Sequence, residues 1–426
     1  MSGGDSAGMP HRTGDVTVTV LAPDGTPLAD TRVTVEQRRH AFAFGNIGFD
    51  LIPLANGERS GTQTDATTFG GASIERLEPL ADRWLELFNT ATLPFYWRGF
   101  EPERGHPDTA RIEATAAWFA EHGVTVKGHP LVWHTLAPEW LNGLPLDEVE
   151  RLVRERITRE VSSAAGLIDI WDPINEVVIM PVFDKEENAI TRLAQRLGRV
   201  GMIRLAFETA RAANPDVTLL MNDFDLSERY ERLIEDVLEA GIRVDAIGLQ
   251  THMHQGYWGE DVMLAMVDRF ARFGLPLHLT ESTLLSGDLM PPHIVDLNDW
   301  QVDHWPSTPE GEARQADELV RHYRSLVSHP AVQAINYWGI TDDGAWLGAP
   351  VGLVRADGST KPSYDALRSL IKDEWWMPPT PLRTDAAGRV RVSGFLGDYA
   401  IGYEGRTAAL TIDAARRSER IVTLQA

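Results

Sequence analysis

Apolar and polar residues alternate near both ends of this chain. Between residues 15 and 39, apolar residues occupy every second position on either side of a Pro-Asp-Gly turn, at Val16, Val18, Val20, Val33 and Val35. This period of two predicts two strands, each with one buried face, joined as a hairpin. The alternation returns at Val390 and Val392, and strand-like runs follow at Tyr399–Tyr403 and Ile421–Leu424. Both ends of the chain are therefore predicted to be β-structure.

The two terminal segments are expected to fold together, because an isolated hairpin is only marginally stable. We predict one small β-sandwich built from residues 15–41 and 378–426, with a cluster of prolines near residue 378 at the junction. Residues 1–14 are rich in Gly, Ser and Asp and lack an apolar core, which predicts a disordered tail and no signal peptide. The compartment stays open between the cytoplasm and secretion after removal of a signal.

The pattern changes between residues 42 and 377, where short apolar runs alternate with longer amphipathic segments. The predicted strands are Phe42–Ile47, Thr90–Tyr96, Thr125–Trp133, Leu167–Pro173, Thr218–Asn222, Ala246–Thr251, Leu277–Thr280 and Ala334–Trp338. Near-continuous apolar runs are typical of parallel strands that are buried on both faces. Eight strand–helix units predict an α/β fold, a (β/α)8 barrel with the small β-sandwich attached.

Composition narrows the classes of partner. The chain has 426 residues, a formal net charge of −22 and no cysteine. The acidic charge argues against nucleic acid, since phosphate binding needs clustered Lys and Arg. The absence of cysteine excludes disulfides and thiolate metal sites. No apolar run approaches the roughly 20 residues of a membrane helix, so we expect no membrane partner. The oligomeric state stays open.

Two glutamates follow strand-like apolar runs far apart in the chain. Glu176 ends the segment Trp171-Asp-Pro-Ile-Asn-Glu176, and Glu281 ends Leu277-His-Leu-Thr-Glu281. They close the fourth and seventh predicted strands, so both carboxyls are expected at the mouth formed by the carboxyl ends of the barrel strands. A facing pair of carboxyls is what cleavage of a glycosidic bond needs, one to protonate the leaving oxygen and one to attack the sugar.

Further strand-end motifs strengthen this hypothesis. They are Gly128-His-Pro-Leu-Val-Trp-His134, Leu220-Met-Asn-Asp223, Ile247-Gly-Leu-Gln-Thr-His252 and Tyr337-Trp-Gly-Ile-Thr-Asp342, the last followed by Trp346. Together with the two glutamate motifs and in this order, they resemble the family-10 glycoside hydrolases, the xylanase family. The resemblance covers the central 330 or so residues, and it implies the barrel fold and a retaining β-glycoside hydrolase.

The resemblance also implies roles for individual residues. Glu176 would be the general acid and then the general base, and Glu281 the nucleophile, with the carboxyls about 5–5.5 Å apart. Asn175 would hold the 2-hydroxyl of the cleaved sugar. The other predicted substrate-binding residues, which would line or cover that sugar, are His129, Trp133, His134, Gln250, His252, Trp338, Trp346 and Tyr96. No cofactor or metal ion is implied.

Three features depart from the family. The segment Thr92–Trp97 lacks the Glu-Asn and Lys set that grips the sugars beyond the cleaved one. The loop after Glu281 is long and carries Trp300 and Trp305. We expect Phe95, Tyr96 and this loop, at residues 300–305, to narrow that non-reducing side. Thr283 stands where the family has an aspartate beside the histidine of strand six, which leaves the protonation of His252 open. Weak endo-cleavage of linear xylan is therefore expected, with better activity on short or decorated β-glycosides.

Two other classes of function are compatible with the sequence. The first is a non-catalytic carbohydrate-binding protein on a hydrolase barrel, against which the intact glutamate pair argues. The second is a metal-dependent enzyme using His252, His254 and Glu281. The spacing of these residues does not match a helical His-Glu-x-x-His site, which makes the metal hypothesis weaker.

Overall fold

The computed structural model describes residues 9–58, 72, 76–413 and 418–425. These residues fall into two compact units, which we describe separately. One unit lies within Met1–Ala43, Val327–Pro330 and Asp365–Ala426, and the other within Phe44–Leu326 and Ala331–Tyr364. We call the first unit the terminal module and the second the barrel.

Strands are numbered along the chain. They are β1 (Thr13–Leu21), β2 (Arg32–His40), β3 (Ala43–Ile47), β4 (Thr90–Pro94), β5 (Thr125–His129), β6 (Ile168–Trp171), β7 (Thr218–Asp223), β8 (Ala246–Met253), β9 (Leu277–Leu284), β10 (Val332–Tyr337), β11 (Thr380–Arg383), β12 (Arg389–Phe395), β13 (Gly397–Tyr403), β14 (Arg406–Ile412) and β15 (Ser418–Thr423).

The α-helices are α1 (Ile52–Ala55), α2 (Leu77–Leu87), α3 (Trp97–Phe100), α4 (Thr109–Glu121), α5 (Leu146–Ser163), α6 (Ala189–Ala213), α7 (Glu228–Glu239), α8 (Glu260–Ala271), α9 (Pro309–Ser328) and α10 (Pro362–Arg368). A π-helical turn, Ser369–Glu374, continues α10. Among the described residues, no helix is both long and apolar enough to cross a membrane.

The barrel is closed by eight strands in the order β10-β3-β4-β5-β6-β7-β8-β9. The registers between neighbouring strands are parallel, as in the pairs Thr90 with Thr125 and Leu220 with Ala246. The strands are almost entirely buried because helices cover their outer face and side chains fill the interior. The predicted (β/α)8 barrel and all eight predicted strand positions are confirmed.

The barrel helices follow from their apolar spacing and caps. In α5 the fully buried positions Val149, Val153, Ile157 and Val161 are four apart, which places them on one stripe of the helix. Helix α6 begins at Asn188, whose side chain accepts a 2.8 Å hydrogen bond from the backbone N–H of Thr191. These helices therefore form a well-packed outer layer around the strands.

The terminal module contains two sheets. One has the order β12-β1-β15 and the other β11-β2-β13-β14. The predicted sandwich of both chain ends is confirmed, but the predicted hairpin is wrong, because β1 and β2 lie in different sheets. Strand β1 instead pairs antiparallel with β12 and parallel with β15. Alternation indicates that a strand has one buried face, and it does not identify the neighbouring strand.

The apolar positions of the two sheets form one core. Residues buried in it include Val16, Val18, Val20, Val33, Val35, Val390, Val392, Tyr399, Ile401, Leu410 and Ile412. Residues 1–8 of the predicted tail lie outside the described residues. Residues Pro10–Arg12 form a 3-10 helix and β1 begins at Thr13, so regular structure starts before residue 15.

Candidate active site

Both glutamates lie at the carboxyl-terminal mouth of the barrel, as predicted from their strand ends. Glu281 belongs to β9, and Glu176 follows β6 after a short segment in which Asn175 forms a bridge to Asn222 of β7. Both side chains are largely buried, with Glu176 9% and Glu281 5% exposed. Burial makes the charge of each carboxyl depend strongly on its hydrogen-bond partners.

Glu176 is held in an unusual backbone conformation. Its φ is +57°, in the left-handed region, and its N–H donates a 2.9 Å hydrogen bond to the carbonyl of Asn222. A non-glycine residue in this region costs roughly 1–2 kcal/mol. The surrounding bonds hold the strained turn and direct the side chain toward the mouth.

Three donors contact the carboxyl of Glu176. Trp133 donates from Nε1 to Oε2 over 2.7 Å, and Asn175 and Gln250 donate their amide N–H groups to Oε1 over 3.1 and 3.2 Å. Both acceptor directions of Oε1 are thus occupied, while Oε2 keeps one. In the protonated acid, the proton therefore belongs on Oε2.

Glu281 accepts a different set of hydrogen bonds. Asn222 donates from Nδ2 to Oε1 over 3.0 Å, and His252 places Nε2 3.0 Å from Oε2. His129 adds Nε2 at 3.7 Å from Oε1. A carboxylate that receives donors and faces a cation is stabilised in its ionised form.

Electrostatics separate the two carboxyls. Burial raises the pKa of Glu176 to about 8, and the nearby charges of Glu281 and Asp223 add to the shift. Burial alone would also raise the pKa of Glu281, but the charge of His129 and the hydrogen bond and charge of His252 lower it below its ordinary value. Near neutral pH the site therefore holds one protonated and one ionised carboxyl.

A buried ion pair supports His129 from below. Asp172 is fully buried, and its Oδ2 lies 2.6 Å from both Nζ of Lys127 and Nδ1 of His129. Burial opposes ionisation of Asp172, but the Lys127 charge, together with the His129 hydrogen bond and charge, lowers the pKa of this carboxyl. Because a carboxylate only accepts, the proton of His129 is held on Nδ1 and the ring is fixed toward Glu281.

Thr283 offers His252 a neutral partner. The hydroxyl oxygen of Thr283 accepts a 3.2 Å hydrogen bond from the N–H of Met253 and lies 3.4 Å from Nδ1 of His252. The Glu281 carboxylate on the other side requires a proton on Nε2. Nε2 of His252 therefore donates to the Glu281 carboxylate, while Nδ1 faces the hydroxyl of Thr283.

Aromatic rings surround the remaining space at the mouth. Tyr96 packs edge-on to His129 with ring centroids 5.7 Å apart, and Trp338 packs edge-on to His129 at 5.4 Å. Trp346 lies 5.0 Å from His252. Tyr96, Trp133, Trp338 and Trp346 belong to one apolar cluster with Phe49. Aromatic faces of this kind pack against the apolar face of a sugar ring.

Two residues from the sequence predictions lie elsewhere. His134 packs against Phe183, with ring centroids 4.4 Å apart, and burial lowers its pKa to about 3. Within the described residues, its contact with the site runs through the ring of Trp133. Phe95 is 1% exposed and packs on Trp171 in the core, so the expectation that it narrows the cleft is wrong.

Sequence reasoning missed three residues that touch the candidate pair or its supports. Asn222 was visible in the strand-five motif, directly before the aspartate that ends β7. Lys127 lies two positions before His129 on β5, a spacing that places both side chains on the same face of the strand. Asp172 was part of the Glu176 motif. The available signal was position at a strand end for Asn222 and Asp172, and the same-face spacing to His129 for Lys127.

The residues of the metal hypothesis are arranged differently from a ligand set. Across the part of the chain that the structure describes, no group of three or more His, Cys, Asp or Glu is placed to hold a metal ion. His252 is hydrogen-bonded to Glu281, and His254 packs between Trp305 and Trp346 at centroid distances of 6.1 and 5.1 Å.

A closed (β/α)8 barrel with one protonated and one ionised carboxyl at its mouth has the fold and site of a glycoside hydrolase. The sequence model of "Glycosyl hydrolase family 10" matches residues 55–370. The chain belongs to glycosyl hydrolase family 10.

Individual relatives agree with this assignment. The chain is 26% identical to endo-1,4-beta-xylanase B of Thermotoga neapolitana, over 70% of this chain and 85% of the relative. It is 28% identical to endo-1,4-beta-xylanase of Geobacillus stearothermophilus, over 58% and 75%. The solved structure of xylanase 10B from Thermotoga petrophila with xylobiose superposes with a TM-score of 0.61 at 23% identity, covering 78% of this chain and 95% of that one.

Proposed function

We propose that this chain is a xylanase-like, retaining β-glycoside hydrolase in which Glu176 is the acid/base and Glu281 the nucleophile. The observation that carries the proposal is the opposite tuning of the two carboxyls at one barrel mouth. The pKa of Glu176 is raised to about 8, while that of Glu281 is lowered below its ordinary value. Double displacement needs this combination of a proton donor and an ionised nucleophile.

In the first step, an oxygen of Glu281 bonds to the anomeric carbon as the bond from that carbon to the leaving oxygen breaks. Glu176 transfers its proton to the leaving oxygen, which departs as an alcohol. Loss of the Glu281 negative charge on ester formation removes one of the causes that raise the pKa of Glu176. Glu176 is then an ionised base.

In the second step, Glu176 takes a proton from water as the water oxygen attacks the anomeric carbon. The ester bond to Glu281 breaks and the carboxylate is restored. Two inversions at one carbon leave its configuration unchanged. The product is the β-anomer, and both glutamates return to their starting protonation states.

Other residues of the site would bind the cleaved sugar. The side-chain amide of Asn175 donates to the carboxyl of Glu176 and so lies beside the proposed acid/base, which supports the role of holding the 2-hydroxyl. His129, Gln250 and His252 would line the sugar, and the aromatic cluster around Trp338 would cover it. For His134 we propose an indirect role, because its ring packs against Trp133 and Phe183.

The substrate is a carbohydrate, and the names of the relatives support a β-1,4-linked xylose polymer or its fragments. The formal net charge of −22 favours a neutral sugar over nucleic acid. The absence of the Glu-Asn and Lys set from Thr92–Trp97 supports short or decorated β-glycosides over linear xylan. We propose residues 15–41 and 378–426 as the two sandwich segments, and residues 42–377 as the catalytic barrel.

The stereochemistry of the first product tests the mechanism. An aryl β-xyloside or β-xylobioside is hydrolysed while the anomeric proton of the released sugar is followed by NMR. The β-anomer should appear first and mutarotate later. First release of the α-anomer would contradict a Glu281 nucleophile, and no turnover of any β-glycoside would favour the non-catalytic carbohydrate-binding protein.

A further inference from the structure

The loops at the barrel mouth differ greatly in length. In the barrel order, β7 and β8 lie between β6, which precedes Glu176, and β9, which carries Glu281. The loops after β7 and β8 are short, residues 224–227 and 254–259, whereas those after β6 and β9 span residues 172–188 and 285–308. Short loops between two long ones leave a gap in the rim, which is the geometry of an open cleft end.

An ion-pair cluster spans this gap. Lys185, in the loop after β6, places Nζ 3.2 Å from Oδ1 of Asp299 and 3.4 Å from Oδ2 of Asp296, both in the loop after β9. Asp296 caps the 3-10 turn Leu297–Asp299 by accepting a hydrogen bond from the N–H of Asn298. The turn thus presents two carboxylates to a single lysine.

Both loops are fixed near the ion pair. Glu186, the neighbour of Lys185, accepts hydrogen bonds from Arg98 over 3.1 and 3.2 Å, and Arg98 lies in α3 after β4. The loop after β9 is held by Gln255 of the loop after β8, which donates to the carbonyls of Pro291 and Ile294 over 2.9 and 2.8 Å. The rim therefore continues from β4 through the loop after β6 to the loop after β9.

The base of the loop after β9 is also anchored. Lys361 is fully buried, and its Nζ lies 2.7 Å from both carboxyl oxygens of Asp342 and 2.8 Å from Oγ of Ser286. Ser286 in turn bonds Oγ of Ser307 over 2.7 Å, which joins the two ends of the loop. This loop is held by buried contacts at its base and by exposed contacts in its middle and at its tip.

Aromatic side chains lie on the short loops of the gap. Phe224 after β7 is 47% exposed and Trp258 after β8 is 38% exposed. A ring face that stays open to solvent beside a sugar site can stack on one pyranose or one aromatic ring. The aromatic cluster that would cover the cleaved sugar comes from the ends of β3, β4, β5 and β10. The gap at β7 and β8 lies across the barrel from most of this cluster, on the side left for the leaving group that Glu176 protonates.

We propose that Lys185, bound to Asp296 and Asp299, closes the leaving-group end of the cleft and makes the enzyme select a short leaving group, a single sugar or a single aromatic ring, over a long polymer. The proposal rests on the proposed function, because it uses Glu176 as the acid. The three side chains are 57%, 37% and 62% exposed. Salt screens such a pair, so the closure is weakened at high ionic strength.

The test compares wild type with Lys185→Ala on aryl β-xylosides, on xylo-oligosaccharides of increasing length and on linear xylan. In wild type, kcat/KM should fall as sugars are added on the leaving-group side. Lys185→Ala should raise kcat/KM on linear xylan about fivefold, the worth of an exposed ion pair, and leave that on aryl glycosides within about twofold. About 1 M NaCl should produce the same gain in wild type and none in the variant.

Arg196→Ala is the matched control, because Arg196 also forms ion pairs with two carboxylates, Asp147 and Glu150. These pairs join α6 to α5 and lie outside the mouth. Arg196→Ala should change neither activity. Equal wild-type kcat/KM on long and short substrates, or a Lys185→Ala gain that is the same for both, would overturn the closure and leave the glutamate roles intact. Absence of turnover on every glycoside would instead overturn the proposed function and the closure with it.

Discussion

Asn222 donates a 3.0 Å hydrogen bond from Nδ2 to Oε1 of Glu281. The same amide nitrogen donates to Oδ1 of Asn175 over 2.9 Å, and the Nδ2 of Asn175 donates in turn to Glu176. One side chain of β7 thereby connects the two candidate catalytic carboxyls across the mouth. A change at Asn222 is therefore expected to be felt at both carboxyls.

Asn222→Ala should lower kcat/KM by about 10–100-fold, the effect of losing a hydrogen bond to a charged group. The loss of a donor raises the pKa of Glu281, so the acid limb of the pH–rate profile should move to higher pH. Thr280→Val is the control, because it removes only the hydroxyl that donates to Oδ1 of Asn222. An unchanged acid limb in Asn222→Ala would show that this amide does not tune the nucleophile.

Replacement of the nucleophile is expected to be rescued chemically. Glu281→Ala should abolish turnover of aryl β-glycosides, since no carboxylate remains to attack the anomeric carbon. Added azide should restore turnover and give an α-glycosyl azide, because it attacks once, from the face that Glu281 occupied. A β-azide product, detected by NMR, would contradict the assignment of Glu281.

The acid/base residue should show its role through the leaving group. Glu176→Ala should retain glycosylation with activated aryl leaving groups, which need no proton, and lose about 10²–10⁴-fold on poor leaving groups. The measurement is kcat/KM against leaving-group pKa. A uniform loss across the series would argue that Glu176 acts on binding or folding instead.

The raised pKa of Glu176 also predicts pH-dependent stability. The folded protein keeps this proton up to about pH 8, whereas the unfolded chain loses it near the ordinary glutamate pKa of 4.5. Since the folded state binds more protons in this window, the free energy of unfolding falls as pH rises, by roughly 3–5 kcal/mol. Glu176→Gln should flatten the dependence of Tm on pH between these values.

Asp223 provides an internal comparison for that titration, because burial raises its pKa to about 7. Asp223→Asn should flatten the lower part of the same window and leave the part near pH 8. Identical Tm–pH slopes for wild type and Glu176→Gln would mean that Glu176 carries no proton in this range.

The terminal module should depend on its C-terminal strands. Deleting residues 382–426 removes β12 and β15, both partners of β1, and exposes the face that carries Val16, Val18 and Val20. Because burial of each valine contributes roughly 1.5–3 kcal/mol, Tm should fall by roughly 10 °C or more. Calorimetry of the full chain and the deletion variant measures this change.

A pair of point variants controls for the size of that deletion. Val18→Ala, at a fully buried position, should cost roughly 1–3 kcal/mol, while Ile421→Ala, 74% exposed on β15, should stay within about 0.5 kcal/mol. Equal effects of the two substitutions would place the core of the module elsewhere.

The local pattern of the sequence determined which residues form the barrel strands and which glutamates end them. Apolar runs such as Leu277–Thr280 are buried on both faces wherever they pair, so the strands can be located without knowing their neighbours. Chain order then places Glu176 and Glu281 at the same end of parallel strands. These predictions needed only short-range information.

Only the tertiary structure decided which strands and side chains meet. Val16 and Val18 have the same alternation whether β1 pairs with β2 or with β12, and long-range pairing chose β12. Phe95 and Tyr96 are adjacent, yet one packs in the core and the other at the mouth, because neighbouring side chains in an extended segment point to opposite sides. The role of Asn222 follows from the position of β7, which places its side chain between two carboxyls that are distant in the chain. Such contacts depend on how strands that are distant in the chain are brought together, and no local pattern predicts that pairing.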